Sequence, residues 1–235
     1  MSNLPLQDTP TPAASREPIS SNLANSTASE WHREVVGGLW DEIGQLQFNF
    51  LVSQGLDPTD YLLDIGCGSL RGGVHFIRYL DKGHYFGIDK DPQLLEAGKN
   101  IELVRYGLID KGPNLFQMED FNFIPLSMKF NYAIAQSVFT HLPLNNIIRC
   151  VMNVEKVLIT GGKFFATFFE NPDGKFNLEP IYHPKAGGYT FFDKDVFHYD
   201  FHTFEFLCEG TKLEVDYIGD WNHPRNQKIM VFTKV

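Results

Sequence analysis

The segment LLDIGCGSLRGG, Leu62–Gly73, decides how this chain folds. It begins as a short apolar strand closing on an acid, turns on glycines, and opens a helix. Small residues in such a turn let the backbone approach a ligand closely, and free N–H groups at the helix start add a positive field. A second apolar run, YFGIDKD, carries Asp89, which stands 23 positions after Gly66. That interval is close to the ~20 expected in a nucleotide-binding βαβ unit. Together the two segments point to a nucleoside-containing cofactor.

Outward from this unit, strands and helices alternate. Strands are predicted over 61–65, 84–89, 115–119, 130–136 and 163–169, with helices over 70–80, 92–106 and 144–158. A loop-rich segment, 170–189, precedes a helix expected over 194–208, and the chain ends in strands over 213–219 and 228–234. Alternation of this kind predicts an α/β fold: a doubly wound, mostly parallel seven-stranded sheet. The last two strands share only the short turn WNHPRNQ. A parallel crossover needs a dozen or more residues, so the last strand must run antiparallel. Before the sheet, Val36, Leu39, Trp40, Ile43, Leu46, Phe50 and Leu51 recur at helical spacing and predict one or two N-terminal amphipathic helices. Residues 1–29, rich in Pro, Ser, Thr and Asn, read as a disordered tail, leaving 30–235 as one domain.

Composition narrows the partners. The chain has 235 residues, enough for one domain with a full core, and 43% of them are hydrophobic. A formal charge of −9, without a Lys/Arg cluster, disfavours nucleic acid and anionic membrane surfaces as partners and leaves a small-molecule substrate. Cys67, Cys150 and Cys208 are widely spaced, so no disulfide framework is expected and a cytoplasmic location fits. No metal-ligand spacing occurs, no apolar run approaches the ~20 residues of a membrane span, and no signal-peptide core begins the chain.

The glycine turn also discriminates between cofactors. A dinucleotide loop has the form GxGxxG, but after Gly66 and Gly68 this chain has Arg71 at the third position. With Asp64 two residues before the first glycine and a reversed last strand, the pattern resembles the class I S-adenosylmethionine-dependent methyltransferases. The small bacterial methyltransferases acting on small molecules are nearest in character. The resemblance spans about residues 35–235 and is most specific at 62–73 and 85–91.

It implies a Rossmann-like methyltransferase fold with S-adenosyl-L-methionine as cofactor. Asp64 would hold the methionine ammonium, while Gly66, Cys67 and Gly68 form the loop beneath the cofactor. Asp89 would accept from the ribose hydroxyls, Asp120 and Phe121 would border adenine, and Gln136 would lie beside the methionine portion. Arg71 reads either as a contact to the cofactor carboxylate, which suits guanidinium, or as a surface ion pair on the first helix. Asp64 and Asp89 also have plain structural readings, as a turn cap and a helix cap.

Ligands of open α/β sheets lie beyond the carboxyl ends of the strands. His141, after the fourth strand, is the first candidate base, and His223 the second. Each also reads as packing, at a helix start and in a tight turn respectively. Tyr182 and His183, in what reads as a substrate lid, and Trp221 are the expected pocket residues. The end of the fourth strand, AIAQSV, lacks the Asn/Asp-Pro-Pro-aromatic signature of nucleobase and amide-nitrogen methylation. A nicotinamide-dependent oxidoreductase and a non-catalytic cofactor-binding module are the alternatives.

Overall fold

In a computed structural model of the chain, residues 30–172 and 177–235 are described. His32–Val235 forms one compact unit. The tail expected over residues 1–29 lies outside the described residues, as do 173–176.

Helices α1 (Trp31–Val35) and α2 (Trp40–Ser53) precede the sheet. β1 (Leu62–Ile65) is buried throughout, as a strand covered on both faces must be. Helix α3 (Gly73–Tyr79) starts later than its periodicity predicts, because Leu70 takes φ 74° and prolongs the turn. After β2 (Tyr85–Asp89) come α4 (Pro92–Ala97), a π turn over Gly98–Glu102, and α5 (Leu103–Arg105). Asp91 caps α4 by accepting from Gln93 N–H at 2.8 Å, and Pro92 fills the first helical position where no donor is needed. β3 (Asn114–Gln117) and β4 (Phe130–Ala135) follow. Helix α6 (Leu144–Val157) then turns Ile147, Cys150, Val151, Val154 and Val157 inward at helical spacing.

β5 (Leu158–Glu170) is longer than predicted. The segment expected to be loop-rich contains a hairpin, β6 (Ile181–His183) and β7 (Gly188–Thr190). The helix expected over 194–208 is divided: β8 (His198–Tyr199) pairs with Phe169 and Glu170, and only α7 (His202–Cys208) is helical. The prolonged end of β5 offers ladder partners that outweigh the helical spacing of the neighbouring aromatics. β9 (Leu213–Gly219) and β10 (Lys228–Lys234) complete the chain.

The main sheet runs β3-β2-β1-β4-β5-β10-β9. Its first five strands are parallel, and β10 is antiparallel to both neighbours, as the short final turn requires. Phe232 faces Phe164 in register, with ring centroids 5.5 Å apart, pinning β10 to β5. Burying each such ring contributes about 1.5–3 kcal/mol. One apolar cluster includes the buried face of α6 with Phe139 and Phe204; the other includes Leu51, Phe76, Phe165 and Trp221. The carboxyl ends of β1, β2, β4 and β5 thus share one edge, where the loops gather.

Candidate functional site

The turn after β1 is held open by its backbone. Gly66 and Gly68 have φ 72° and 54°, values that disfavour any side chain. There is also no room for one: a Cβ would meet Val138 Cγ2 at 2.5 Å and Val36 Cγ1 at 2.7 Å, respectively. Phe121 (φ 57°) and Ser137 (φ 58°), just beyond β3 and β4, share this left-handed conformation. Such residues are uncommon and cluster where a loop is shaped for a ligand.

Two acids face this turn. Asp64 is 4% exposed, and its Oδ2 accepts from the Tyr85 hydroxyl at 2.6 Å. Burial pushes its carboxyl up to about 7; the Tyr85 hydrogen bond opposes the rise, nearby Asp89 adds to it, and Arg71 opposes it more weakly. Asp89 is half-buried, accepting from Gly68 N–H at 2.8 Å and Asp91 N–H at 2.9 Å. Burial raises its carboxyl too, against those two backbone hydrogen bonds. The cap of α4 is Asp91, so Asp89 is left to the glycine turn.

Residues 32–39 lie as a strap over the turn. Glu102, turned inward from the π turn, is fully buried. It accepts from Arg33 Nε at 2.9 Å and Arg33 Nη2 at 2.8 Å, and lies 2.7 Å from His32 Nε2. Burial alone would raise the Glu102 carboxyl, but these partners together hold it below its ordinary value. Arg71 donates through Nη1 to the carbonyls of Val36 (2.8 Å) and Gly38 (2.9 Å), and Arg225 donates to the carbonyl of Gly37. Of the two readings of Arg71, the surface ion pair is not met among the described residues: the residue is 7% exposed and faces inward.

Arg71 also donates through Nη2 to Gln136 Oε1 at 2.9 Å. Gln136 Nε2 donates to Ser137 Oγ at 2.7 Å and faces His223 Nε2 at 3.1 Å. Burial, with Arg71 and Arg225 nearby, pushes His223 down to about 3. His223 is thus held neutral and has little proton affinity, a poor match to the expected base. Trp221 is 6% exposed, gives its indole N–H to Gln227 O at 2.9 Å, and packs on Phe50. It belongs to the core.

The other expected residues occupy the loop edge. Asp120 is exposed and accepts from Asn122 N–H at 3.0 Å, an Asx turn that leads into Phe121. Cys67 is buried, and burial raises its thiol well above the ordinary range, which leaves it inert. In the hairpin, Tyr182 points outward against Tyr189, while His183 points inward to Thr190 Oγ1 at 2.9 Å. His141 is exposed, and its Nδ1 lies 2.6 Å from Asp195 Oδ1.

Tyr85, Glu102, Asp195 and Arg225 were not among the sequence candidates. A signal existed only for Tyr85, a hydroxyl-bearing ring on the strand beside a buried acid. Among the described residues no group of three His, Cys, Asp or Glu side chains is placed to hold a metal, and no helix is long and apolar enough to cross a membrane.

The donor set fits a zwitterionic amino-acid group next to a nucleoside. Asp64 is a buried acid in need of a cation. Arg71 Nε is a buried donor without a hydrogen-bond partner among the described residues, suited to a carboxylate. Asp89, at the end of β2, offers carboxylate oxygens beside the glycine turn.

Residues 63–164 match a family model described as a methyltransferase domain. The fold is similar to that of magnesium protoporphyrin IX methyltransferase from Synechocystis PCC 6803, solved with bound SAM. That likeness has a TM-score of 0.60 at 12% identity over 90% of this chain and 93% of that one. The CcbJ methyltransferase from Streptomyces caelestis aligns with TM-score 0.63 at 11% identity, covering 82% and 89% of the two chains. An rRNA methylase from Streptococcus thermophilus aligns with TM-score 0.52 at 13% identity, covering 81% and 95%. At such identities the structures establish the shared fold.

Proposed function

We propose that this chain, whose residues 63–164 match a methyltransferase domain, binds S-adenosylmethionine as a class I methyltransferase and moves a methyl group to an oxygen or nitrogen of a small-molecule metabolite. The observation that carries the reading is the pairing of Asp64, a buried carboxyl raised to about 7, with the unpartnered Nε–H of Arg71 beside the glycine turn. An amino-acid end supplies the cation one lacks and the anion the other lacks.

When bound, the cofactor supplies a sulfonium methyl open to in-line displacement. In this reading Asp64 holds the ammonium and Arg71 the carboxylate, while Gly66 and Gly68 let the backbone come close. Asp89 accepts from the ribose hydroxyls, and Asp120 with Phe121 borders the adenine. Gln136, anchored by Arg71 and His223, lines the methionine side. The strap excludes water from this end, and His141 accepts the acceptor's proton. His223 acts through Gln136 as a positioning group.

The formal charge of −9 supports a small molecule over RNA as acceptor, since RNA binding depends on basic surface. Calorimetry with S-adenosylhomocysteine and with NAD tests the cofactor. Micromolar binding of the first and none of the second is expected; the reverse overturns the reading. Radiolabelled methyl transfer into a metabolite extract, compared with transfer into ribosomal RNA, tests the acceptor class.

A further inference from the structure

Three consecutive residues after β4 are gripped by one distant segment. Phe197 N–H donates to the carbonyl of Thr140 at 2.8 Å, and the Tyr199 hydroxyl donates to the carbonyl of Leu142 at 2.5 Å. Between them, Asp195 Oδ1 lies 2.6 Å from Nδ1 of His141. The 195–199 segment therefore fixes both the backbone and the ring of His141. An isolated surface ion pair, worth about 0–1 kcal/mol, has no such backing. The site lies at the carboxyl edge, in the turn that directly follows Gln136 and Ser137.

A carboxylate on Nδ1 places the neutral ring's proton there and leaves Nε2 as a bare acceptor. Nε2 makes no hydrogen bond within the described residues, and the side chain is 54% exposed. We infer that Asp195 is a positioning residue that holds His141 as a proton acceptor, and that the methyl acceptor is a hydroxyl. This rests on the methyltransferase reading above. A carboxylate acceptor is already deprotonated, and a neutral amine attacks with its own lone pair, so neither needs such a base as a hydroxyl does. The acceptor oxygen bonds to the methyl carbon as the carbon–sulfur bond breaks, that bond's electron pair staying on sulfur. The O–H proton passes to Nε2 of His141 and from there to solvent.

The test uses the full chain with ¹⁵N-labelled histidine, the His141 ring signals being assigned by their loss in His141→Gln. Wild-type signals at pH 8 are expected to show protonated Nδ1 and bare Nε2, and to move when S-adenosylhomocysteine saturates the site. Asp195→Asn should shift the ring toward the other tautomer, and Asp195→Glu should restore the first. Both variants should bind S-adenosylhomocysteine within about twofold of wild type.

A bare Nδ1 in wild type, or ring signals unmoved by bound S-adenosylhomocysteine, overturns the role of the pair while leaving cofactor binding intact. Failure of wild type to bind S-adenosylhomocysteine overturns the methyltransferase reading instead. With ¹³C-methyl-labelled S-adenosylmethionine and a metabolite extract, the product's labelled carbon should give the NMR signal of a methyl bonded to oxygen and should resist base, as methyl ethers do. A methyl carbon bonded to nitrogen, or release of labelled methanol from an ester, overturns the hydroxyl assignment; transfer by His141→Gln at the wild-type rate overturns the catalytic role of His141.

Discussion

The hydroxyl of Tyr85 and the carboxylate of Asp64 meet at 2.6 Å inside the sheet, on strands adjacent in space. That hydrogen bond opposes the rise of the Asp64 carboxyl but does not cancel it, because burial dominates. The pair is therefore strained in a way that a bound cation relieves, and this underlies the first prediction.

Asp64→Asn should stabilise the ligand-free protein at pH 8 while weakening S-adenosylhomocysteine binding by about 1–3 kcal/mol, the loss of a charge-assisted bond. A carboxyl whose folded value is raised to about 7 contributes stability that is present below its unfolded value and lost as pH rises through 7. The gain at pH 8 is at most about 4 kcal/mol. Melting curves with and without ligand at pH 4 and 8 measure both effects.

Asp89 and Asp91 should separate cleanly. Asp89→Ala removes the acceptor of Gly68 N–H and is expected to weaken S-adenosylhomocysteine binding by about 1–3 kcal/mol. Asp91→Ala removes only the α4 cap, costing about 1 kcal/mol of stability with little effect on affinity. Calorimetry paired with denaturant titration of the two variants distinguishes them.

Glu102→Gln should release the strap. Losing the charge that holds the half-buried Arg33 weakens the clasp, at about 1.5–3 kcal/mol. Limited trypsin digestion, read by mass spectrometry, should cut after Arg33 in the variant well before wild type. Equal cutting in both would show that the strap is held elsewhere.

Acid should act through His223. Its folded value, about 3, lies below the unfolded value, so the unfolded chain binds more protons and stability falls as pH drops from about 6.5 toward 3. His183 and His198, both lowered by burial, add to this slope. Asp64 gives the opposite slope between pH 4 and 7, so wild type alone hides both. In the Asp64→Asn background, His223→Gln should flatten the acid decline, measured as Tm against pH.

What the sequence made legible was local. Gly66, Gly68, Asp64 and Asp89 lie on one strand–turn–helix unit and the strand after it, where spacing along the chain translates into spacing in the fold. The reversed final strand followed from a turn too short to cross the sheet. Glu102 and Asp195 were invisible because their partners, Arg33 and His141, are brought to them by packing between distant segments. The overextended helix before Cys208 failed for a related reason: His198 and Tyr199 find ladder partners on β5, which helical periodicity cannot register. His223 and Trp221 read as site residues by position, yet the turn carrying them folds inward.

The strap draws its fastenings from stretches far apart along the chain. Arg71 and Glu102 follow it closely along the chain, but Arg225 stands 188 residues after Gly37. A chain leaving the ribosome can form the glycine turn, both acids and the Glu102 clasp while Arg225 is still missing. The strap over the glycine turn is therefore completed only once the turn before β10 arrives to fasten the carbonyl of Gly37.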